Sequence, residues 1–302
     1  MKKIFALPPS EDWILDRIVK EWYEGNPNTY VDHPSQADII WLVADYCWRQ
    51  VGPFLNGKKV LTTVHHIVPE KFNKNEIEDF KLRDKFTTAY HVPNKHTANF
   101  IRNYTDKNIH VVPYWVNPKI WKITSTKSSL REKYNLPKDA FILGSFQRDT
   151  EGSGISKGQY LPKLEKGPDL FADYAILRKN CGDNIHVLLA GWRRHYLISR
   201  LEAANVPFTY VERPSQEVLN ELYQTLDLYP VSSRVEGGPQ SLIECGLLNI
   251  PMVSRDMGMS DVVLPQKSIN DSLERAEPSI PNVKHLMLPE GFNGYRKIFE
   301  SL

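Results

Sequence analysis

Two glutamates eight positions apart, Glu236 and Glu244, frame the stretch SRVEGGPQSLIEC at residues 233 to 245. The first is followed by Gly237, Gly238 and Pro239, and the second stands inside an apolar run between Ile243 and Cys245. Glycines let a backbone come close to a ligand. Proline fits the first position of a helix, where a missing N–H costs nothing, so a helix is expected over 239–248. The free N–H groups and partial positive charge at its start suit an anion such as a diphosphate. A carboxylate inside such a helix is costly to bury unless a donor reaches it, and ribose hydroxyls would serve. The plain alternative is coincidence, since acids at this spacing are common. The glycines, the helix and the strands on either side weigh against it.

Other residues with chemical capacity lie near expected strand ends. Arg148 follows the strand FILGSF (141–146), and His65 and His66 follow KVLTTV (59–64). Lys157 and Lys166 each precede a glycine in the segment TEGSGISKGQYLPKLEKGPDLF. Each has a structural reading as well: a solvated arginine, or strand-end histidines with satisfied hydrogen bonds. Arg193 and Arg194 in GWRRHY face either a ligand or solvent. Trp41, Tyr46, Trp48, Tyr114 and Trp115 offer either a sugar-stacking surface or, preferably, buried core.

The elements that must position these groups alternate. Strands are expected at 3–7, 38–43, 59–64, 87–92 and 109–113, then at 141–146, 185–190, 207–211, 227–231 and 251–254. Helical patterns fall at 11–24 (with Ser10 as its cap), 94–103, 167–180, 194–204, 215–225 and 239–248. Strands separated by helices argue for parallel sheets of βαβ units. The expected fold is α/β, with two Rossmann-like domains facing across a cleft. They would span 1–122 and 123–285, with a C-terminal helix at 286–302 and the polar segment 115–139 as the crossover. The long loop at 149–165 reads as functional or mobile.

Composition narrows the class. Of 302 residues, 41% are hydrophobic and 25% charged, which is ordinary for a folded domain. A net charge of +2, with Lys and Arg spread along the chain, gives no reason to expect nucleic acid, though it permits peripheral contact with an anionic membrane. Cys47, Cys181 and Cys245 form no metal or disulfide pattern and suit a reducing compartment. The opening MKKIFALPPSEDW is too short in apolar residues for a signal peptide, so a cytoplasmic protein, peripheral at the inner membrane face, is expected.

The motif and several other segments together resemble the retaining GT-B glycosyltransferases of family 4 (group 1), whose hallmark is Glu-x7-Glu. In order along the chain, TTVHH (62–66), VVPYWVNPKIW (111–121), GSFQRD with EKGPDLF, and VSRDMGMSDVV (253–263) resemble further elements of that family. Tyr114 and Trp115 stand where the family usually has Asn-Gly, and Pro8, Pro9 and Ser10 where it often has a glycine-rich loop. The resemblance implies that Arg148 and Lys166 grip a diphosphate and that His65 sits at the sugar's reacting face. It also implies that Glu236 binds sugar hydroxyls, helped by N–H groups from Gly237 through Gln240, and that Glu244 holds the ribose. The implied donor set is thus Arg148, Lys166, Glu236, Gly237, Gly238, Pro239, Gln240, Ser241 and Glu244. The implied activity is transfer of a sugar, a hexose by expectation, from a nucleotide-sugar donor to a glycan or lipid-linked acceptor, with no metal and no other cofactor. No Asp-x-Asp occurs in the chain, and Asp149 is expected to orient Arg148. A sugar-nucleotide epimerase and a non-catalytic nucleotide-sugar binder are the competing readings.

Overall fold

The computed structural model describes residues 2–10, 14–152 and 160–302. Contacts divide the chain into two units, Met1–Trp115 with Leu288–Leu302, and Val116–Met287.

In the first unit five strands, β1 (Ile4–Leu7), β2 (Ile39–Leu42), β3 (Lys59–Thr63), β4 (Ala89–Val92) and β5 (Asn108–Val111), pair in that order, all parallel. Strands buried on both faces read as continuous apolar runs, as the fully buried IIWL of β2 does. Ile4 pairs with Ile39 on one side and forms a second parallel bridge to Tyr30. Tyr30 therefore flanks β1 on the edge away from β2, and the chain steps one way through helix α1 (Ile14–Gly25) before winding back. The register confirms the reversal. Trp41, Leu61 and Ala89 share one face, so Tyr90 points to the other. Trp22 of α1 meets Trp41 at 5.9 Å between ring centroids, whereas Phe80 of helix α2 (Lys74–Asp84) stacks on Tyr90 at 5.4 Å. The first face is closed by the C-terminal helix Asn293–Ser301, whose Phe299 lies 4.9 Å from Trp22 and whose Tyr295 lies 4.7 Å from His91.

Helix α2 is missing from the sequence expectations because its run KNEIEDFKLRD buries only Phe80 and Arg83. Its start was marked all the same: Asn73 accepts from the N–H of Asn75, as an N-cap does. Helix α3 (Lys95–Ile101) is capped by Asn94, which accepts from Thr97 N at 2.8 Å. Residues 11–13 of the expected first helix lie outside the described residues, and Ser10 donates its backbone N–H to Asp16 Oδ1 at 2.9 Å. Trp41, Trp48, Tyr114 and Trp115 are buried, while Tyr46 is 53% exposed.

The second unit has β6 (Phe141–Ser145), β7 (Ile185–Ala190) and β8 (Phe208–Val211) parallel in sequence order, and β9 (Tyr229–Val231) parallel to β10 (Met252–Ser254). A parallel bridge between Leu143 and Leu228 brings the start of β9 against β6, giving the order β8-β7-β6-β9-β10. This is the doubly wound order, and its direction reverses between β6 and β9. Helices α5 (Pro168–Asn180), α6 (His195–Ala203), α7 (Gln216–Gln224) and α8 (Gln240–Leu247) connect the strands, over a core that includes Leu143, Phe171, Val187, Leu189 and Val253.

The segment 115–139, expected as a polar crossover, carries a helix of its own. Lys127–Lys133 forms helix α4, with Thr126 as its cap. Arg131 donates to Thr225 O and, at 2.5 Å, to Asp227. Upstream, the N–H groups of Lys122 and Thr124 donate to Asn220 and Gln224. These bonds tie residues 116–139 to the second unit, which by its contacts begins at Val116.

A buried polar chain crosses the first unit. Trp41 Nε1 donates to Thr63 Oγ1 at 2.9 Å, Thr63 Oγ1 lies 3.1 Å from His91 Nδ1, and His91 Nε2 lies 2.8 Å from Val112 O. A carbonyl only accepts, so Nε2 carries the proton and Nδ1 accepts from Thr63. Burial pushes the His91 imidazole down to about 3. An unfolded histidine takes up its proton near 6.5. Stability held by neutral His91 is therefore full above that pH and drains away as pH falls from about 6.5 toward 3, by a few kcal/mol in all. NMR titration should find the His91 ring still neutral at pH 5 in the folded protein, and a normal imidazole titration there would contradict the buried chain.

Candidate active site

The reversal between β6 and β9 is where loops diverge from the carboxyl ends of the strands, leaving a crevice. Both loops that border it carry the residues singled out by their chemistry. After β6 come Gln147 and Arg148, and the connection returns through Lys166 and Gly167 before α5. After β9 come Ser232, Ser233 and Glu236, ahead of α8.

Lys166 and Glu236 meet. Lys166 Nζ lies 2.8 Å from both Oε1 and Oε2 of Glu236, and Ser233 Oγ lies 3.0 Å from Oε1. Two features bring the loops this close. Gly167 is left-handed (φ 59°), and a Cβ there would stand 2.0 Å from Ser232 O. Gln147 Nε2 donates to Lys166 O at 2.8 Å, which fixes the lysine backbone. Behind Glu236, Gly258 (φ 55°) follows β10, and a Cβ there would press on Glu236 Cβ at 3.3 Å and Gly237 O at 3.2 Å. Gly167 and Gly258 are thus left-handed glycines that bring these loops together. Gly237 is buried, Gly238 and Gln240 are half-buried, and Ser241 is buried in the first turn of α8. Pro239 is the cap residue of that helix (φ −57°, ψ 124°), not its first helical position; the helix begins at Gln240.

Glu244 is buried one turn further on. Tyr223 of α7 donates its hydroxyl to Glu244 Oε2 at 3.0 Å. Burial, and then the neighbouring carboxylate, hold the Tyr223 phenol well above its ordinary value, so it keeps its proton and acts as donor only.

Arg148 is half-buried and donates to Thr150 O at 3.1 Å and Gly152 O at 2.6 Å. Its guanidinium lies 5.4 Å from the ring centroid of Trp192, which is 39% exposed and has Arg193 and Arg213 within 5.4 and 4.8 Å of the same ring. Asp149 does not orient Arg148. It pairs with Arg194, Nε to Oδ2 at 2.7 Å, and both side chains are essentially without solvent. Arg194 also donates to Ser145 Oγ and Ala190 O, and Thr150 Oγ1 donates to Asp149 Oδ1. The second arginine of GWRRHY therefore faces neither ligand nor solvent. It ties the ends of β6 and β7 together and shapes the turn that carries Arg148.

His65 belongs to the first unit. Its Nε2 lies 2.7 Å from Val43 O, so that nitrogen donates, and its Nδ1 accepts from the Tyr114 hydroxyl. Burial lowers its pKa and keeps the ring neutral. Lys157, the rival of Lys166, lies outside the described residues, as does the stretch 153–159 of the loop expected to move. Among the described residues, no three His, Cys, Asp or Glu side chains are grouped to hold a metal ion, and no helix is long and apolar enough to cross a membrane. Sequence reasoning missed Gln147, Ser233 and Tyr223, and for Arg194 it missed the buried partner Asp149. The doubled serine before Arg234 was a usable signal; Tyr223 left none.

No family model matches the chain, and no curated protein does. Solved structures do. HepE from Anabaena, in complex with UDP and glucose, matches with a TM-score of 0.64 at 14% identity, over 87% of this chain and 69% of that one. Sucrose-phosphate synthase from Thermosynechococcus elongatus matches with a TM-score of 0.65 at 14% identity, over 98% of this chain and 81% of that one. The lipopolysaccharide outer core galactosyltransferase WaaB matches with a TM-score of 0.59 at 12% identity, over 95% and 79%.

The buried Asp149–Arg194 pair is the stability feature to test. Removing one partner strands a charge and costs about 3–5 kcal/mol. Asp149→Ala should show that loss in chemical denaturation, whereas Asp149→Leu with Arg194→Met should lose much less. Equal loss in both would mean that the pair contributes only its packing. With parallel sheets in two Rossmann-like units and these structural neighbours, the chain has the GT-B fold.

Proposed function

We propose that the chain is a retaining glycosyltransferase that moves a sugar, a hexose by expectation, from a nucleotide-sugar donor to a glycan or lipid-linked acceptor without a metal. The observation that carries this reading is the meeting of Lys166 and Glu236, 2.8 Å apart, at the point where the second sheet reverses direction. It gains support from HepE, a protein of like fold solved with UDP and glucose.

In this reading Lys166 and Arg148 take the donor diphosphate, aided by the N–H groups that open α8. Glu236 takes the sugar hydroxyls and Glu244 the ribose. The bond from the anomeric carbon to the diphosphate oxygen breaks while the acceptor oxygen forms its bond on the same face. The acceptor proton passes to the departing phosphate oxygen, so no protein base is required. That agrees with His65, which is held neutral and already donates from Nε2. Charge growing on the diphosphate is met by Lys166 and Arg148, and positive charge on the sugar by Glu236.

The direct test is thermal stabilisation by a panel of nucleotide sugars, followed by acceptor trials with the donor that binds. Glu236→Gln should then lower turnover by the ~2–4 kcal/mol typical of losing one transition-state interaction, without weakening nucleotide binding; wild-type turnover would refute the assignment. Glu244→Ala should weaken the nucleoside diphosphate about tenfold by calorimetry, and unchanged affinity would remove Glu244 from the ribose. Activity should persist in excess chelator. Loss there, restored by manganese or magnesium, would refute the metal-free mechanism.

A further inference from the structure

Lys166 and Glu236 are proposed to serve opposite ends of one donor, the diphosphate and the sugar, yet here they hold each other. Both carboxylate oxygens of Glu236 are within 2.8 Å of Lys166 Nζ. The Glu236 side chain is 9% exposed and that of Lys166 20%, so water compensates poorly for either group once they part. The lysine backbone cannot follow its head group. Gln147 holds its carbonyl, and the next residue, Gly167, is packed against Ser232 O with no room for a Cβ. A change of partner therefore falls to the side chain alone.

We propose that this ion pair is a latch that favours the intact nucleotide sugar over the nucleoside diphosphate product, an inference that rests on the donor reading given under Proposed function. A diphosphate bound alone draws Lys166 away, so that Glu236 keeps Ser233 Oγ but loses its cation and receives no sugar hydroxyl in exchange. An intact donor draws Lys166 away and delivers sugar hydroxyls to Glu236 in the same event. Once the sugar has left, closure of the latch competes with the product for Lys166. The pair therefore weakens product inhibition without weakening the donor to the same degree.

The test is a double-mutant cycle by calorimetry on the full chain, with UDP, GDP, ADP, CDP and dTDP as probes. Glu236→Gln keeps the shape of the side chain and removes its charge. It should bind the tightest of these diphosphates about fivefold or more tightly than the wild type does, because Lys166 no longer has to be withdrawn from a carboxylate. In a Lys166→Met background the same change should have no effect, since the latch acts only through the lysine. Unchanged or weaker binding by Glu236→Gln overturns the latch. So does tightening that persists in the Lys166→Met background, which would mark plain repulsion between Glu236 and the anion. Failure of all five diphosphates to bind the wild type overturns the donor reading itself, and that outcome is distinct from a wild type that binds but shows no coupling.

Discussion

Parallel strand pairing is the constraint on which the rest depends. A parallel sheet cannot be built from tight hairpins, so each strand must be followed by a crossover before the next can join. Crossovers keep one hand, and a sheet covered on both faces must therefore change its winding direction somewhere. In the second unit that place lies between β6 and β9. The loops leaving those strands turn to opposite faces, and the space between them cannot be filled by either connection. Lys166 and Glu236, 70 residues apart in sequence, meet there because the topology leaves a gap that both loops border.

The gap is framed by contacts on several sides. Asp149 and Arg194 clamp the end of β6 to the end of β7 from beneath. Gly167 lets the loop before α5 touch the end of β9, and Gly258 lets the loop after β10 press against Glu236. Every one of these contacts joins segments from different crossovers. The long cationic side chains of Lys166 and Arg148 are therefore carried on backbone that is held from several sides. A site meant to stabilise developing charge needs such preorganisation.

Much of this was legible in the sequence, for a physical reason. Strands buried on both faces appear as unbroken apolar runs, which is why β2 and β7 could be read directly. Gly237, Gly238 and Pro239 mark a loop-to-helix junction, so Glu236 and Glu244 stood out although neither neighbour explains their charge. Helices α2 and α4 were not legible, because each buries few residues and is held mainly by polar bonds to distant segments. Partner choice was also hidden. Asp149 was paired in prospect with its neighbour Arg148, and the fold instead gives it Arg194, 45 residues away. Local pattern reports which residues are buried; it does not report which buried charge meets which.

Two ion pairs near the candidate site, Asp149–Arg194 and Lys166–Glu236, differ in one respect that has a consequence in solution. Asp149 and Arg194 are 1% and 0% exposed, while Lys166 retains 20% exposure. Dissolved ions screen exposed charges over about 8 Å at physiological ionic strength and reach buried pairs far less. Added salt should therefore loosen the grip of Lys166 on Glu236 while leaving the clamp beneath it intact. Ionic strength then acts on the occupancy of the site and not on its architecture, so the protein can stay folded across salt concentrations that change how readily Lys166 leaves Glu236.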